Sequence, residues 1–245
     1  MPFKQEKRGK MNPRKSARIV GVLFIVASAA PISTIFFLGF LGGAVSGEPI
    51  PDFLVTVSAN EMQVIIGMLI ELIWALAVVG IPVVLFPIMK KHDEALALGF
   101  FSLRFIEGIC TVIHSILLLS LLTLSQEFVN AGVPDASYYL TVGTLLLAAR
   151  DWAFMIGSGL VWSLSALFLN YILYRSKLVP RWLSGWGLIG GLLSFSVYLL
   201  QFFGVKTTDY LFAPIAFQEM VFAVWLIVKG FDSFAITESA QRVSE

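Results

Sequence analysis

The sequence predicts an all-α integral membrane protein, a bundle of six transmembrane helices with both termini in the cytoplasm. The first observation behind this prediction is composition: the 245 residues are 58% hydrophobic and 13% charged, whereas soluble domains carry roughly 25% charged residues. A chain of this length cannot bury so much apolar surface in its own core, so much of that surface must face lipid. The second observation is six apolar runs near or above the roughly 20 residues that a helix needs to cross a bilayer.

The six runs predict six spans in one transmembrane domain, at residues 19–231. The spans are placed at about 19–43, 61–86, 97–124, 139–174, 182–204 and 210–230. A basic cytoplasmic tail at 1–18 precedes this domain, and a polar cytoplasmic tail at 232–245 follows it. The first run continues well past the small residues Ala27-Ser28-Ala29, which favours a retained signal anchor over a cleaved signal peptide. The fourth run has no internal turn signal, so we predict one long helix that tilts or projects beyond the membrane.

Basic residues alternate between the two ends of successive spans and predict the orientation. The N-terminal tail, the loops after spans two and four and the C-terminal end contain Lys4, Lys7, Arg8, Lys10, Arg14, Lys15, Arg18, Lys90, Lys91, Arg175, Lys177, Arg181, Lys229 and Arg242. The intervening loops contain Lys206 together with Glu48, Asp52, Glu127, Asp135 and Asp209. Cytoplasmic loops are enriched in Lys and Arg. We therefore predict a multi-pass protein of the cell membrane with both termini in the cytoplasm.

Several classes of function find no support in the composition. The net charge is +1 and the charges are sorted along the chain, so no nucleic-acid partner is predicted. A single cysteine, Cys110, excludes an internal disulfide. The chain has no metal-type Cys/His spacing, no phosphate-binding glycine loop and no dinucleotide fingerprint. The sequence therefore names no metal and no cofactor, and the partner that it does indicate is the lipid bilayer.

Ionisable residues inside the spans are the candidate functional residues. The stretch SLRFIEGICTVIH in span three introduces three of them into an apolar run. The full set is Glu71, Arg104, Glu107, His114, Arg150, Asp151 and Glu219. Most lie about ten residues from a predicted span end, which at about 1.5 Å per residue is close to the bilayer midplane. A charge at that depth costs at least about 2.5–3.5 kcal/mol, so we expect these side chains to face the bundle interior or a water-filled cavity.

Helical spacing places several of these residues on common faces. In span three, Arg104, Glu107, Thr111, His114 and Ser115 follow steps of three and four residues and predict one polar stripe. In span four, residues 151, 158 and 165 are polar and recur every seven residues. We therefore expect the ionisable groups of four helices to meet in one layer.

The charges in this predicted layer do not balance. Its four carboxylates face two arginines, which leaves an excess of two negative charges. Either some carboxylates are protonated, or a proton, a metal ion or a cationic ligand completes the balance. The alternative is structural: the arginines form ion pairs that hold the helices together. His114 is then a hydrogen-bonded interior histidine rather than a ligand.

Three stretches resemble a known family. They are LFPIMKKHDEALALGFFSLRFIEG, YRSKLVPRWLSGWGLIGG and FAPIAFQEMVFAVWLIVKGF. They are similar to motifs of a prokaryotic family of six-span membrane proteins described as domain of unknown function 4386, and the resemblance covers about residues 15–232. It implies that the Arg-x-x-Glu of Arg104 and Glu107, the Pro-Arg-Trp-Leu at 180–183 and Glu219 are recurrent features. The resemblance implies no activity.

Three classes of function fit these observations. The first is a carrier in which Glu71, Glu107 and Glu219 bind or transport a proton, a cation or a small ligand, with Arg104 as counter-ion. The second is a membrane-embedded enzyme or lipid-binding protein that uses a glutamate as acid or base, with His114 as its partner. The third is a sensor or accessory subunit whose buried charges specify packing. We favour the first class, and the sequence leaves open whether the protein is an enzyme and which oligomer it forms.

Overall fold

The computed structural model describes residues 12–39, 50–132 and 137–232, which form helices and no strands. Six helices are long and apolar enough to cross a membrane, and we number them spans one to six: Pro13–Leu38, Glu61–Met89, Glu94–Ala131, Ser137–Ser176, Arg181–Phe202 and Tyr210–Val228. The prediction of an all-helical, six-span protein is confirmed. Residues 1–11 and 40–49, which include the end of the first predicted span, and residues 233–245 of the predicted C-terminal tail lie outside the described residues.

Two of the spans begin a few residues before their apolar runs, because a capping side chain starts the helix there. Span one begins at Pro13 rather than at residue 19, because the side chain of Asn12 accepts a hydrogen bond from the backbone N–H of Arg14 at 3.0 Å. Span three begins at Glu94 rather than at residue 97, because Asp93 accepts a hydrogen bond from the N–H of Leu96 at 3.0 Å. The polar first turns of both helices thus extend beyond the apolar runs.

Six crossings bring the start of span one and the end of span six to one face of the bundle, which we call the terminal face. Here Arg175 Nη1 lies 3.7 Å from Asp93 Oδ2, and the N–H of Asp232 donates to the carbonyl of Leu178 at 2.9 Å. We call the opposite face the loop face. A short helix that the sequence did not predict, Ile50–Ala59, packs there with three fully buried side chains, Phe53, Leu54 and Val57.

Apolar side chains of the described residues form two large core regions and one small cluster, Ala30, Trp74 and Val78. The region near the terminal face includes Phe24 and Phe222, whose rings meet edge to face at 5.2 Å. Spans one and six approach closely there, because a Cβ atom at Gly21 would lie 2.6 Å from the carbonyl oxygen of Ala223. The other region, near the loop face, packs span three against the short helix. The buried charged residues lie between these two regions along span three.

Large apolar side chains also cover the outside of the bundle. Phe36, Leu76 and Ile189 are 84%, 74% and 70% exposed. Exposed apolar area of this extent destabilises a protein in water but is stable against lipid tails. The surface therefore agrees with the six membrane-spanning helices.

Span four is one continuous helix of 40 residues, as its apolar run predicts. It is α-helical at Ser137–Phe154 and at Trp162–Ser176, and the residues between, Met155–Val161, form a π-helix. A π turn accommodates an extra residue, and such turns occur frequently at functional sites. The π segment lies between Arg150 and Trp162, which contact the two clusters described below.

Candidate functional site

Six of the seven predicted site residues lie inside the bundle in two clusters rather than in one layer, four of them buried and two, His114 and Glu219, half-buried. The first, the Arg150 cluster, consists of Glu71, His114, Ser115 and Arg150. The second, the Arg104 cluster, consists of Arg104, Glu107, Trp162 and Glu219. On span three, Arg104 and Ser115 are eleven residues apart by their numbers, which is about 16 Å along a helix. The Arg104 cluster lies on the terminal-face side, and the Arg150 cluster lies nearer the loop face.

The Arg150 cluster joins spans two, three and four through a two-pronged ion pair. Arg150 Nη2 lies 2.5 Å from Glu71 Oε1, and Arg150 Nη1 lies 3.4 Å from Glu71 Oε2. Arg150 Nη1 also donates to the backbone carbonyl of His114 at 2.8 Å. Such fork geometry makes arginine–carboxylate pairs strong and directional. The guanidinium therefore connects span four to both neighbouring helices.

Glu71 is almost fully supplied with donors. The hydroxyl of Ser115 donates to Glu71 Oε2 at 2.8 Å, while His114 Nδ1 lies 3.3 Å from Glu71 Oε1 and makes no hydrogen bond among the described residues. The carboxylate is 1% exposed. With a neutral imidazole, the single carboxylate and the single guanidinium balance each other. The Arg150 cluster then has no net charge.

The Arg104 cluster joins spans three and six with longer contacts. Arg104 Nη1 lies 3.2 Å from Glu107 Oε2, which is an i,i+3 pair on span three. Arg104 Nη2 lies 3.6 Å from Glu219 Oε1 on span six. The indole N–H of Trp162, on span four, donates to the same Glu219 oxygen at 3.2 Å. Two carboxylates therefore share one guanidinium.

Arg104 is buried without using all of its hydrogen-bond donors. It is 2% exposed, and among the described residues its Nε and Nη2 atoms have no hydrogen-bond partner. The rings of Phe24 and Phe100 lie 5.7 and 5.8 Å from the guanidinium carbon, which is within cation–π distance. Aromatic faces thus replace part of the hydration of this charge, while two nitrogens, which carry three N–H bonds, make no hydrogen bond among the described residues.

The two excess negative charges of the predicted layer can be assigned to particular residues. In the Arg104 cluster, Glu107 and Glu219 face one arginine, which leaves one uncompensated negative charge in a site where both carboxylates are largely covered by protein. The second excess charge of the sequence-based count belongs to Asp151. The imbalance is therefore concentrated at the Arg104 cluster and at one residue outside the clusters.

The π segment explains how span four serves both clusters. Arg150 and Trp162 are twelve positions apart by number, which in a regular α-helix places them about 120° apart around the axis. One extra residue absorbed in the π turn reduces this angle to about 20°. Arg150 and Trp162 therefore face the same side of span four, although they contact different clusters.

The same π segment accounts for the position of Asp151. The predicted seven-residue stripe is corrected here, because Asp151 is exposed on the outside of the bundle while Ser158 and Ser165 are buried. The extra residue rotates the first half of span four relative to the second by about 100°. Arg150, and not its neighbour Asp151, then faces the bundle interior.

Comparison with family models assigns the chain. A family model described as domain of unknown function DUF4386 matches residues 19–230. This chain belongs to the DUF4386 family. Comparison with curated proteins and with solved structures returned no match. In this DUF4386 chain, the Arg104, Glu107 and Glu219 features that the resemblance implied meet in one cluster, while Pro180–Leu183 contributes to the terminal face.

Two further interactions of this DUF4386 chain are absent from the sequence-based list. The sequence pattern does not identify Trp162 as a donor, because tryptophan in membrane proteins is enriched at the lipid interface. Gln218 Nε2 donates to Asn170 Oδ1 and to the carbonyl of Leu183, both at 3.2 Å, and joins spans four, five and six. The signal for this pair is the presence of Asn and Gln inside apolar runs. Among the described residues, no group of three His, Cys, Asp or Glu side chains is arranged to hold a metal ion.

Proposed function

We propose that the Arg104 cluster binds one exchangeable proton, shared between Glu107 and Glu219, and that the protein is a proton-linked carrier of a small ligand. The observation that carries this proposal is the sharing of one guanidinium by two carboxylates inside the bundle, Glu107 at 1% and Glu219 at 12% exposure. Like charges in a poorly hydrated site cannot both ionise without a compensating cation. One bound proton brings the cluster to neutrality.

A proton fits the cluster better than a metal cation. Hard cations require six or more oxygen ligands, or a set of retained waters. The Arg104 cluster offers two carboxyl groups, and its other members, Arg104 and Trp162, are hydrogen-bond donors. A proton needs no further oxygen ligands, and it removes the excess of one negative charge completely.

The contacts also favour a carrier over an acid–base enzyme. A glutamate working with a histidine requires the two side chains at the same reactive centre. His114 lies beside Glu71, whose oxygens already accept from Arg150 and Ser115. The carboxylates of the uncompensated cluster, Glu107 and Glu219, have an arginine and a tryptophan as neighbours. A group that gains and loses a proton without bond-making chemistry suits transport coupling.

Infrared difference spectroscopy on purified protein tests the bound proton. The stretch of a protonated carboxyl group should be present near neutral pH in the unmodified protein and should disappear under alkaline conditions. Glu107→Gln and Glu219→Gln should each remove or shift this band, because each removes one of the two sites that share the proton.

Glu71→Gln is the matched control, since it removes a buried glutamate of the same membrane domain that is already paired. It should leave the band in place. A band that is absent near neutral pH, or that is lost in Glu71→Gln and retained in both other variants, would contradict the proposal. The buried charges would then serve helix packing alone.

We also infer the orientation of the carrier. The basic segments Lys90–Lys91 and 175–181 lie at the terminal face, where span one begins and span six ends. The enrichment of basic residues in cytoplasmic loops supports a cytoplasmic position for this face in the cell membrane. The Arg104 cluster is then the one closer to the cytoplasm.

A further inference from the structure

Residues 177–181, which include the Pro and Arg of the Pro-Arg-Trp-Leu stretch, form one wall of a pocket that is separate from both buried clusters. The pocket has a volume of about 560 Å³ and lies between the loop after span four and the end of span six. Its base is apolar, because Leu178, Val179 and Phe231 are at most 9% exposed. The backbone hydrogen bond from Asp232 to Leu178 joins its two sides.

Basic side chains line the rim of this pocket. Lys177, Arg181 and Lys229 are exposed, and Asp232 is the acidic residue among the lining residues. Within the part of the chain that the structure describes, no carboxylate lies within 4.0 Å of the ammonium groups of Lys177 and Lys229. Three cations against one carboxylate make the pocket a site of positive potential.

The backbone adds to this potential and shapes the pocket. Span five begins at Arg181, and no side chain caps its N-terminus. Free N–H groups at a helix N-terminus attract anions. Lys177 and Gly230 have φ angles of 56° and 77°, so both walls turn through left-handed conformations. A non-glycine residue in that region is uncommon, and it sets Lys177 at the mouth of the pocket.

The pocket lies at the depth of lipid headgroups. Its lining residues belong to the loop before span five, to the first residue of span five, to Trp225 of span six and to the four residues that follow span six. Trp182 and Trp225 meet edge to face at 6.3 Å beside it. Tryptophan is enriched at the boundary between headgroups and acyl chains. A ligand in this pocket therefore has access from the membrane surface.

We propose that this pocket binds the phosphate of an anionic lipid headgroup at the terminal face. Lys177 and Lys229 contact the phosphate from opposite walls, and Arg181 completes the basic rim with the N-terminus of span five. The apolar base receives the glycerol and upper acyl portion of the lipid. Neither buried cluster contributes to this site, so it is independent of the proton-binding proposal.

Native mass spectrometry of the full-length protein in neutral detergent tests this site. Retained lipid is counted after addition of dioleoylphosphatidylglycerol or of dioleoylphosphatidylcholine. The unmodified protein should retain phosphatidylglycerol in preference. Lys177→Gln/Lys229→Gln should weaken its apparent affinity for phosphatidylglycerol roughly 25-fold, since each lysine beside an anionic headgroup contributes about five-fold. Retention of phosphatidylcholine should not change, which shows that the variant is folded.

Lys90→Gln/Lys91→Gln is the matched control, because it removes the same charge from the same face outside the pocket. It should change the affinity by about two-fold or less, since screening limits the reach of exposed charges. Equal losses in the two double variants, or equal retention of the two lipids by the unmodified protein, would overturn the proposal. An excess of inorganic phosphate should not displace phosphatidylglycerol. Displacement would overturn the lipid assignment and identify a free phosphate as the ligand.

Discussion

The Arg104 and Arg150 clusters contain the same kinds of residue and differ in how their charges are matched. In the Arg150 cluster one carboxylate meets one guanidinium, with contacts down to 2.5 Å and a serine hydroxyl on the second oxygen. In the Arg104 cluster two carboxylates meet one guanidinium at 3.2 and 3.6 Å, and two arginine nitrogens have no hydrogen-bond partner among the described residues.

The difference shows how one bundle can contain a structural pair and a proton site. A pair of matched charges gains little from a further proton, and removing either partner leaves an uncompensated buried charge. A cluster with unmatched charges can still bind a proton. Because its contacts are weaker, removing one of them should lower the free energy of unfolding less. The experiments below separate these two behaviours.

The largest expected effect is the loss of Arg150. Arg150→Ala should lower the free energy of unfolding by about 3–5 kcal/mol, because Glu71 then remains charged and buried and the carbonyl of His114 loses its donor. Denaturant titration in mixed micelles measures the change. The double variant Arg150→Ala/Glu71→Ala should be more stable than the single variant. Additive losses in this cycle would show that the two side chains do not act as a pair.

Arg104→Ala should have a smaller effect, roughly 1.5–3 kcal/mol, because its contacts are longer and two of its donors are already unpaired. Adding Glu107→Gln should partly restore stability, since one of the two carboxylates left without a cation is then removed. The same titration measures both variants. A loss in Arg104→Ala as large as that in Arg150→Ala would contradict the comparison of the two clusters.

Removing the carboxylates of the Arg104 cluster should be strongly non-additive. Glu107→Gln and Glu219→Gln should each change the free energy of unfolding by about 0.5 kcal/mol or less, because the remaining carboxylate still balances Arg104. The double variant should lose about 2 kcal/mol, since the guanidinium is then buried without an anion. If the losses in free energy of unfolding of the two single variants sum to that of the double variant, the two carboxylates do not share one guanidinium.

Trp162→Phe should have a small effect on the free energy of unfolding, about 0.5–1 kcal/mol, because it deletes one hydrogen bond to Glu219 and keeps the aromatic ring. The infrared band of the protonated carboxyl should shift in frequency, since the hydrogen bonding of Glu219 changes. Trp152→Phe is the matched control, because Trp152 contacts Phe202 outside both clusters. An equal shift in both variants would exclude a specific role for the indole N–H.

The last experiment measures the topology of the chain rather than its stability, and it determines which cluster is closer to the cytoplasm. Reporter fusions after residues 92 and 178 and at the C-terminus should report a cytoplasmic position, and fusions after residues 132 and 207 should report the opposite side. Activity of an enzyme reporter on either side measures the outcome. An external C-terminus would reverse the inferred orientation of both clusters.

Much of the fold was predictable from local properties of the chain. The six spans follow from apolar runs of sufficient length, and the polar stripe of span three is confirmed by the burial of Arg104, Glu107, Thr111 and Ser115. Both depend only on composition and on the fixed rotation of about 100° per helical residue. The short helix Ile50–Ala59 escaped prediction because its apolar face is too short to resemble a span.

The pairing of the charges was decided by the tertiary structure alone. Glu71 and Arg150 are 79 positions apart, and Trp162 and Glu219 are 57 apart. The sequence places an ionisable side chain on a helix and at an approximate depth. It does not show which helices are neighbours or how they are shifted along one another. Side-chain packing determines both. At Gly21, for example, the absence of a side chain lets span one approach span six. The π turn of span four is a further example, since it rotates Arg150 inward and leaves Asp151 outside.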